Sequence, residues 1–246
     1  DKLVTSIQGA EVVNMPGEPA NSFYGYIFDG VYSTAEEAST ANLRNDKLIL
    51  YSMGDAKYRD ISGPNGNPDG IINNYDKTVI GSSNPEQFGG LSNTFTYKRW
   101  SLNTFVQFVG GNEVFNYVRS QNESMKGIGN QSTRVLDRWQ YEGQVTDVPR
   151  ALYGDLIGNS DFSTRWIEDG SYLRLKNVSL SYTIPGEFLA FKNAQFYLSA
   201  TNLLTVSKYL GYDPEFAFSS DHVTQGIDYG LTPQSRQFVI GVKLGL

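Results

Sequence analysis

The stretch Gln237-Phe-Val-Ile-Gly-Val-Lys-Leu-Gly-Leu246 decides the fold class of this chain. Every even position from Phe238 onward is apolar, whereas the odd positions include Gln237, Gly241 and Lys243. Period-2 alternation over about ten residues is typical of a transmembrane β-strand, which turns one face to lipid and the other to the barrel lumen. The stretch therefore indicates an all-β membrane protein.

Further segments repeat this alternation. We predict strands at Gly90–Tyr97, Trp100–Val109, Tyr172–Ile184, Ala194–Leu204 and Arg236–Leu246, with a weaker one up to Ile27. Between the first two strands lies only Lys98-Arg99, which predicts a tight hairpin. Tyr97 and Trp100 then stand at the turn end of the apolar face, where barrels place their aromatic girdle.

The strand that starts at Tyr172 changes its apolar parity part-way. Leu173 and Leu175 are odd positions, whereas the apolar residues from Val178 to Ile184 are even ones. A β-bulge at Asn177 supplies the one extra residue that this switch requires. Two separate short strands that meet at this point are the alternative.

Long and short connections alternate along the chain. The long ones run from Phe28 to Gln87, Gly110 to Gly170 and Thr205 to Gly230, and the short ones are Lys98-Arg99 and Pro185–Asn193. Outer-membrane barrels have short periplasmic turns and long external loops, so we expect the long segments outside the cell. Six strands fall below the ~8 of the smallest barrels, which predicts that residues 1–246 are part of a larger one.

Composition excludes several classes of function. The chain has no Cys and a single His, His222, which leaves no thiol chemistry and no His-rich metal site. A net charge of −6 argues against a nucleic-acid partner, which needs a basic surface. No nucleophile elbow, P-loop or dinucleotide fingerprint is present in the sequence, and we expect no enzyme activity.

Several phrases of the sequence resemble a known family. The stretches YLRLKNVSLSYTIP from Tyr172, FYLSATNLLTVSKYLGYDPE from Phe196 and PQSRQFVIGVKLGL from Pro233 are similar to the closing segment of SusC/RagA-type TonB-linked outer-membrane transporters. The segments Ser22–Ala38 and Gly54–Asn116 resemble the middle-to-late part of the same family.

The resemblance implies a fold and a function. We expect the C-terminal strands of a large antiparallel transmembrane β-barrel, of about 22 strands in the family, with long extracellular loops. The plug domain and the N-terminal strands would lie outside residues 1–246. The whole protein would import oligosaccharides or peptides across the outer membrane, with energy from the TonB complex and a SusD-like surface lipoprotein over its loops.

One loop approximates a calcium-binding pattern. The stretch from Asn65 to Asp76 follows the spacing D-x-[DN]-x-[DN]-G with an acidic residue at position 12. The predicted oxygen ligands are Asn65, Asn67, Asp69, the carbonyl of Ile71 and Asp76. Asn65 stands where the pattern has Asp, which weakens binding, and Asp60 could substitute; an Asn/Gly/Pro turn that folds without metal is the alternative.

The long loops are rich in aromatic residues. Aromatic faces beside carboxylates are what a sugar or peptide site uses, and such residues also pack loops against one another. The candidate substrate-binding residues are Trp139, Trp166, Tyr209, Tyr212 and Tyr229.

Two other classes of protein stay open on the sequence alone. The first is a secreted, soluble calcium-binding β-sandwich that recognises glycans, and the second is an extracellular hydrolase on a β scaffold. The acidic pairs Glu36-Glu37 and Glu168-Asp169 do not favour the hydrolase, because neighbouring side chains point apart on a strand and do not face each other on a helix.

Overall fold

A computed structural model of the chain describes residues 2–7, 9–188, 191–216 and 225–245. The strands are β1 (Leu3–Ile7), β2 (Ala10–Asn14), β3 (Ser22–Gly25), β4 (Phe28–Val31), β5 (Arg44–Asn45), β6 (Ala56–Tyr58), β7 (Ile71–Ile72), β8 (Thr78–Gly81), β9 (Gln87–Tyr97), β10 (Trp100–Gly110), β11 (Glu113–Asn116), β12 (Ile167–Asp169), β13 (Tyr172–Phe188), β14 (Phe191–Ser207), β15 (Ile227–Asp228) and β16 (Gln237–Gly245). The helices are α1 (Ala35–Ala41) and α2 (Tyr117–Glu123), with 3-10 turns at Asn74–Asp76, Thr133–Asp137 and Thr164–Trp166. In these ranges no helix has the length and hydrophobicity that a membrane span requires.

The chain divides into two compact units. One, the loop unit, comprises Asp1–Asn84, Glu113–Glu168 and Ala217–Gly230. The other, the sheet unit, comprises Pro85–Asn112, Asp169–Phe216 and Leu231–Leu246. Each unit has its own strands and its own packing, and each is described separately below.

The sheet unit is one antiparallel sheet in the order β16-β14-β13-β10-β9. The five strands predicted from clear alternation are confirmed, and most extend a few residues further than predicted. The β9–β10 hairpin turns at Lys98-Arg99, as predicted, with Lys98 in the left-handed region at φ 55°. Leu246 lies outside the described residues.

Strand register lines up apolar side chains across the whole sheet. One row of directly opposed residues is Tyr97, Trp100, Tyr182, Phe196 and Val242. The next row is Phe95, Leu102, Leu180, Leu198 and Ile240. Opposed residues share a face, and this face is exposed, with Ile240 at 84%. A soluble protein buries such a surface, so the register supports a lipid-facing wall.

The opposite face of the same sheet is polar. Its matching row is Thr94, Asn103, Ser179, Ser199 and Val239. Within that row the Thr94 hydroxyl donates to Asn103 Oδ1 over 2.7 Å. This is the face that a barrel turns to its water-filled lumen.

The predicted bulge in β13 is confirmed. The pairing of β13 with both β10 and β14 skips from Leu175 to Asn177, so the extra residue is Lys176. Strand β14 is irregular at the same level, where Asn202 adopts φ 53°. The bulge keeps the apolar residues on either side of it on one face of the sheet, because it absorbs the change of parity.

The loop unit is held by buried aromatic and aliphatic side chains. One core cluster contains Tyr26, Tyr32, Tyr51 and Tyr58 together with Ile72 and Ile157. A second contains Phe23, Phe115, Trp166 and Ile227. Short strands surround these clusters in sheets of two to four strands, among them β1-β2-β3-β8 and β12-β11-β15.

The weak strand expected up to Ile27 is placed differently from our expectation. It forms β3, which pairs with β2 and β8 inside the loop unit and not with the five-stranded sheet. All four residues of β3 are buried, so it lacks the one-sided exposure of a lipid-facing strand. The lipid-facing sheet therefore has five described strands, not six.

Candidate functional site on the external loops

The predicted cation loop is organised by the carboxylate of Asp76. This side chain is fully buried, and it accepts hydrogen bonds from the backbone N–H groups of Ile61 (2.9 Å), Ser62 (3.2 Å) and Asn73 (2.8 Å). Asn73 completes a capping box by accepting from the N–H of Tyr75 at 2.9 Å. Asp76 thus joins both ends of the loop.

A second carboxylate, Asp60, lies near this centre. Its Oδ2 accepts from the N–H of Gly70 at 2.7 Å, while its Oδ1 is buried and is one of the described side-chain atoms without a hydrogen-bond partner. Burial raises the pKa of Asp76, and the charge of Asp60 adds to the increase, whereas the three backbone donors oppose it. A cation beside the two carboxyl groups would favour their ionised forms.

The remaining predicted cation ligands lie at the surface or in backbone turns. Asn65, Asn67 and Asp69 are exposed, and Asp69 Oδ1 accepts from the N–H of Ile71 at 3.0 Å. Among the described residues no group of three or more His, Cys, Asp or Glu side chains could hold a metal ion. The predicted set has only two carboxylates and relies otherwise on amide and carbonyl oxygens, so calcium at this loop stays a prediction.

Trp166 lies in the core of the loop unit. It is 1% exposed, and its Nε1 donates to the carbonyl of Asp161 at 3.1 Å. The guanidinium groups of Arg119 and Arg165 lie 5.4 and 4.2 Å from its ring centroid. Burial lowers the pKa of Arg165 to about 10. With its faces covered in this way, Trp166 packs the loop unit and has no free face for a ligand.

Two other candidate aromatics in the loop unit are half-buried. Trp139 lies against Gly54, and its Nε1 donates to the carbonyl of Ser33 at 3.2 Å. A Cβ at Gly54 would stand 2.5 Å from the Trp139 ring, so glycine is required for this contact. Tyr229 packs its ring 5.0 Å from that of Tyr117. Both side chains stabilise loop packing in this structure.

The two candidate aromatics of the sheet unit differ in exposure. Tyr209 is 8% exposed and packs against Phe216, with ring centroids 6.2 Å apart. Tyr212 is 78% exposed. Of the five candidate substrate-binding residues, Tyr212 presents the most aromatic surface to solvent.

Sequence reasoning missed a buried polar centre at Asp55. This fully buried carboxylate accepts from the Nε and one terminal nitrogen of Arg150, at 2.7 and 3.0 Å, and from the Nδ2 of Asn159 at 3.1 Å. These partners lie 95 and 104 residues away along the chain, so no local pattern could reveal them. The centre ties distant loop segments to one another.

Comparison with known proteins agrees with this architecture. The TonB-dependent receptors P26 and P3 of Formosa agariphila are 34% and 32% identical over 235 and 237 residues, and each alignment covers 93% of this chain. SusC of Bacteroides thetaiotaomicron is 25% identical over 245 residues. The chain belongs with the SusC/RagA-type TonB-dependent receptors. No protein-family model matches it.

Solved structures extend the match between this SusC/RagA-type chain and its relatives. The RagAB peptide transporter superposes with a TM-score of 0.73 over 99% of the chain at 27% identity. The RagAB peptide importer in its 'open-open' state gives 0.72 over 100%. The predicted fold class and the outer-membrane localisation are thereby confirmed: the sheet unit consists of strands of a large transmembrane β-barrel, with long extracellular loops.

The chain spans only part of these relatives. It covers 23% and 22% of receptors P26 and P3, 20% of SusC and 24% of the RagAB chain. The relatives are named receptors and transporters, which agrees with the expectation that the chain is not an enzyme.

Proposed function

We propose that the whole protein imports nutrient oligomers, oligosaccharides or peptides, across the outer membrane, with energy transmitted by the TonB complex. The observation that carries this proposal is the five-strand register, which gives the sheet one apolar and one polar face. The similarity to SusC and to a peptide importer supports it. This chain contributes lipid-contacting wall, polar lumen surface and external loops, and no bond is made or broken.

A SusD-like surface lipoprotein is the proposed partner. Exposed apolar residues on the loops are consistent with a protein contact there, and Tyr153 is an example at 79% exposure. The soluble β-sandwich is less well supported, because it gives no reason for an apolar face that is exposed across five strands.

The test is uptake by cells that lack the gene for the full-length protein. We expect loss of import of one oligomer class, labelled oligosaccharides or labelled peptides, with recovery on complementation. Recovery should fail when the energy-coupling TonB protein is absent. Unchanged uptake of both classes in the deletion strain would contradict the proposal.

We also propose that the Asn65–Asp76 loop binds calcium. The unpartnered Oδ1 of Asp60, which lies among the described side-chain atoms without a hydrogen bond, supports a cation beside Asp76. Calcium prefers several oxygen ligands, and Asp60, Asp69 and the Ile71 carbonyl would supply them. Bound calcium would neutralise the two carboxylates and link the ends of the loop.

This proposal predicts opposite pH responses with and without calcium. The raised pKa of Asp76 means that the folded loop prefers the protonated acid, so without calcium its stability rises as the pH falls through the raised pKa toward the ordinary range of an aspartic acid. With calcium the ionised form is preferred and stability falls over the same interval. Hydrogen exchange of residues 60–76 in the full-length protein measures both. An Asp60→Asn variant should lose the calcium response, and a wild-type exchange rate that calcium does not change would remove the metal claim.

A further inference from the structure

Three ion pairs among four side chains join strand β13 to the external segment that follows β14. Arg174 donates from its Nη2 to Asp213 Oδ1, and its Nη1 lies 3.0 Å from a Glu215 carboxylate oxygen. The Nζ of Lys176 lies 2.7 and 2.8 Å from the two carboxylate oxygens of Glu215. The basic residues and the acidic residues are each spaced two apart, so the pairs form successive rungs. These four residues are here called the loop clasp.

The inner rung of the loop clasp is buried. The side chains of Arg174 and Asp213 are 1% and 9% exposed, whereas those of Lys176 and Glu215 are 27% and 26% exposed. Asp213 also accepts from the N–H of Glu215 at 2.8 Å and from the N–H of Gln234 at 2.9 Å. One carboxylate therefore joins β13, the segment after β14 and the segment before β16, and removing it would leave the buried guanidinium of Arg174 with Glu215 as its one remaining ion-pair partner among the described residues.

The bulge explains why both cations reach the same segment. Arg174 lies on the polar face of β13, and Lys176 is the extra residue that the register skips. In an unbulged strand, continuation of the even parity beyond residue 176 would place Val178 and Leu180 on the polar face too. The bulge lets Arg174 and Lys176 pair with the external segment while the following apolar residues still face lipid.

We propose that the loop clasp positions the external segment 209–216 so that Tyr212 is held out as a ligand contact. Tyr212 is the neighbour of Asp213 and is 78% exposed, whereas Tyr209 and Phe216 pack against each other. The clasp residues are positioning residues, since they hold the segment and leave the ring of Tyr212 free. The role of Tyr212 as a ligand contact rests on the proposed import function, but the positioning itself does not.

The test is a charge-reversal cycle on the outer rung, read by a nitroxide at residue 212. The chain has no Cys, so Tyr212→Cys gives a single label here, with any cysteine elsewhere in the full-length protein replaced. We expect a restricted nitroxide spectrum in the unaltered clasp and a large mobile component in Lys176→Glu and in Glu215→Lys. The double variant should show a smaller mobile component than Glu215→Lys, because residue 215 regains an oppositely charged partner at position 176 although it still faces Arg174. Mobility that is unchanged in both single variants, or a double variant that is no less mobile than Glu215→Lys, would overturn the proposal.

Controls separate misfolding and failed import from failed positioning. Only protein with a heat-modifiable folded band is scored, and Lys176→Gln replaces the reversal if that variant does not assemble. Arg134→Gln, which breaks an exposed ion pair to Asp147 in the loop unit, should leave the nitroxide restricted. In unlabelled protein the single reversals should raise the substrate concentration for half-maximal uptake several-fold, and the double variant should lower it again relative to Glu215→Lys. If no substrate is imported even by wild type, the proposed function fails while the nitroxide result still decides the clasp.

Discussion

Val242→Arg is expected to lower the amount of the protein that assembles in the outer membrane. Val242 lies opposite Phe196 in the row that continues through Tyr182 and Trp100, and it is 53% exposed on the apolar face. An Arg on the lipid face costs about 2–4 kcal/mol at the bilayer midplane and about 0–1 kcal/mol near the interface, and because this row carries Tyr97 and Trp100 at its turn end the cost at Val242 lies below the midplane value. The measurement is the amount of heat-modifiable, folded protein in outer-membrane fractions.

The same strand offers a matched control for this substitution. Val239 lies three residues earlier, and its opposed residue Ser199 belongs to the polar row, so Val239→Arg points an identical charge into the lumen. We expect Val239→Arg to assemble at close to wild-type levels. Equal assembly of the two variants, whether both normal or both absent, would contradict the assignment of faces.

Trp166→Ala is expected to lower the free energy of unfolding of the loop unit by about 3–5 kcal/mol, the usual cost of removing a buried tryptophan side chain. The residue fills the core beside Phe115 and Phe23 and lies under the guanidinium groups of Arg119 and Arg165. Hydrogen exchange across residues 113–123 and 157–168 should accelerate strongly. Trp166→Phe should recover part of the protection, because it keeps an aromatic ring in the cavity.

Tyr212→Ala is the contrasting variant among the candidate aromatics. Its side chain is mostly in solvent, and exposed substitutions usually change stability by no more than ~0.5 kcal/mol. We expect normal assembly and unchanged hydrogen exchange, with weakened substrate uptake. A stability loss at Tyr212 as large as that at Trp166 would show that the exposed ring is structural.

The sheet unit could be predicted from the sequence because the patterns that specify its strands and turns lie in neighbouring residues. Alternation in the strand from Gln237 to Gly245, the two-residue turn at Lys98-Arg99 and the parity switch predicted at Asn177, one residue from the observed bulge, each depend on neighbouring residues only. The bilayer strengthens this local pattern, because lipid-facing positions favour apolar residues and the backbone groups of a spanning strand must pair with an adjacent strand. The prediction of a sixth barrel strand up to Ile27 was wrong, because β3 is buried in the loop unit and has no alternation between an exposed and a buried face.

The loop unit could not be predicted because its contacts are non-local. The carboxylate of Asp55 accepts hydrogen bonds from Arg150 and Asn159, which lie 95 and 104 residues away in the sequence. The buried tyrosines around Tyr58 are not spaced at the period of a helix or a strand. Aromatic content alone therefore made Trp166 and Tyr212 equal candidates, although one is buried and the other exposed. The sequence does contain an indication of the loop clasp. The basic residues Arg174 and Lys176 and the acidic residues Asp213 and Glu215 have the same two-residue spacing, which allows two successive ion pairs.

The most direct test of the account is the size and location of the native polypeptide, detected with an antibody against this chain in fractionated cells. We predict a detergent-extracted outer-membrane band several times larger than the 27.4 kDa of the present chain, in keeping with the 20–24% of its relatives that it spans. A soluble band near 27.4 kDa would contradict the transmembrane barrel and would favour the soluble β-sandwich instead.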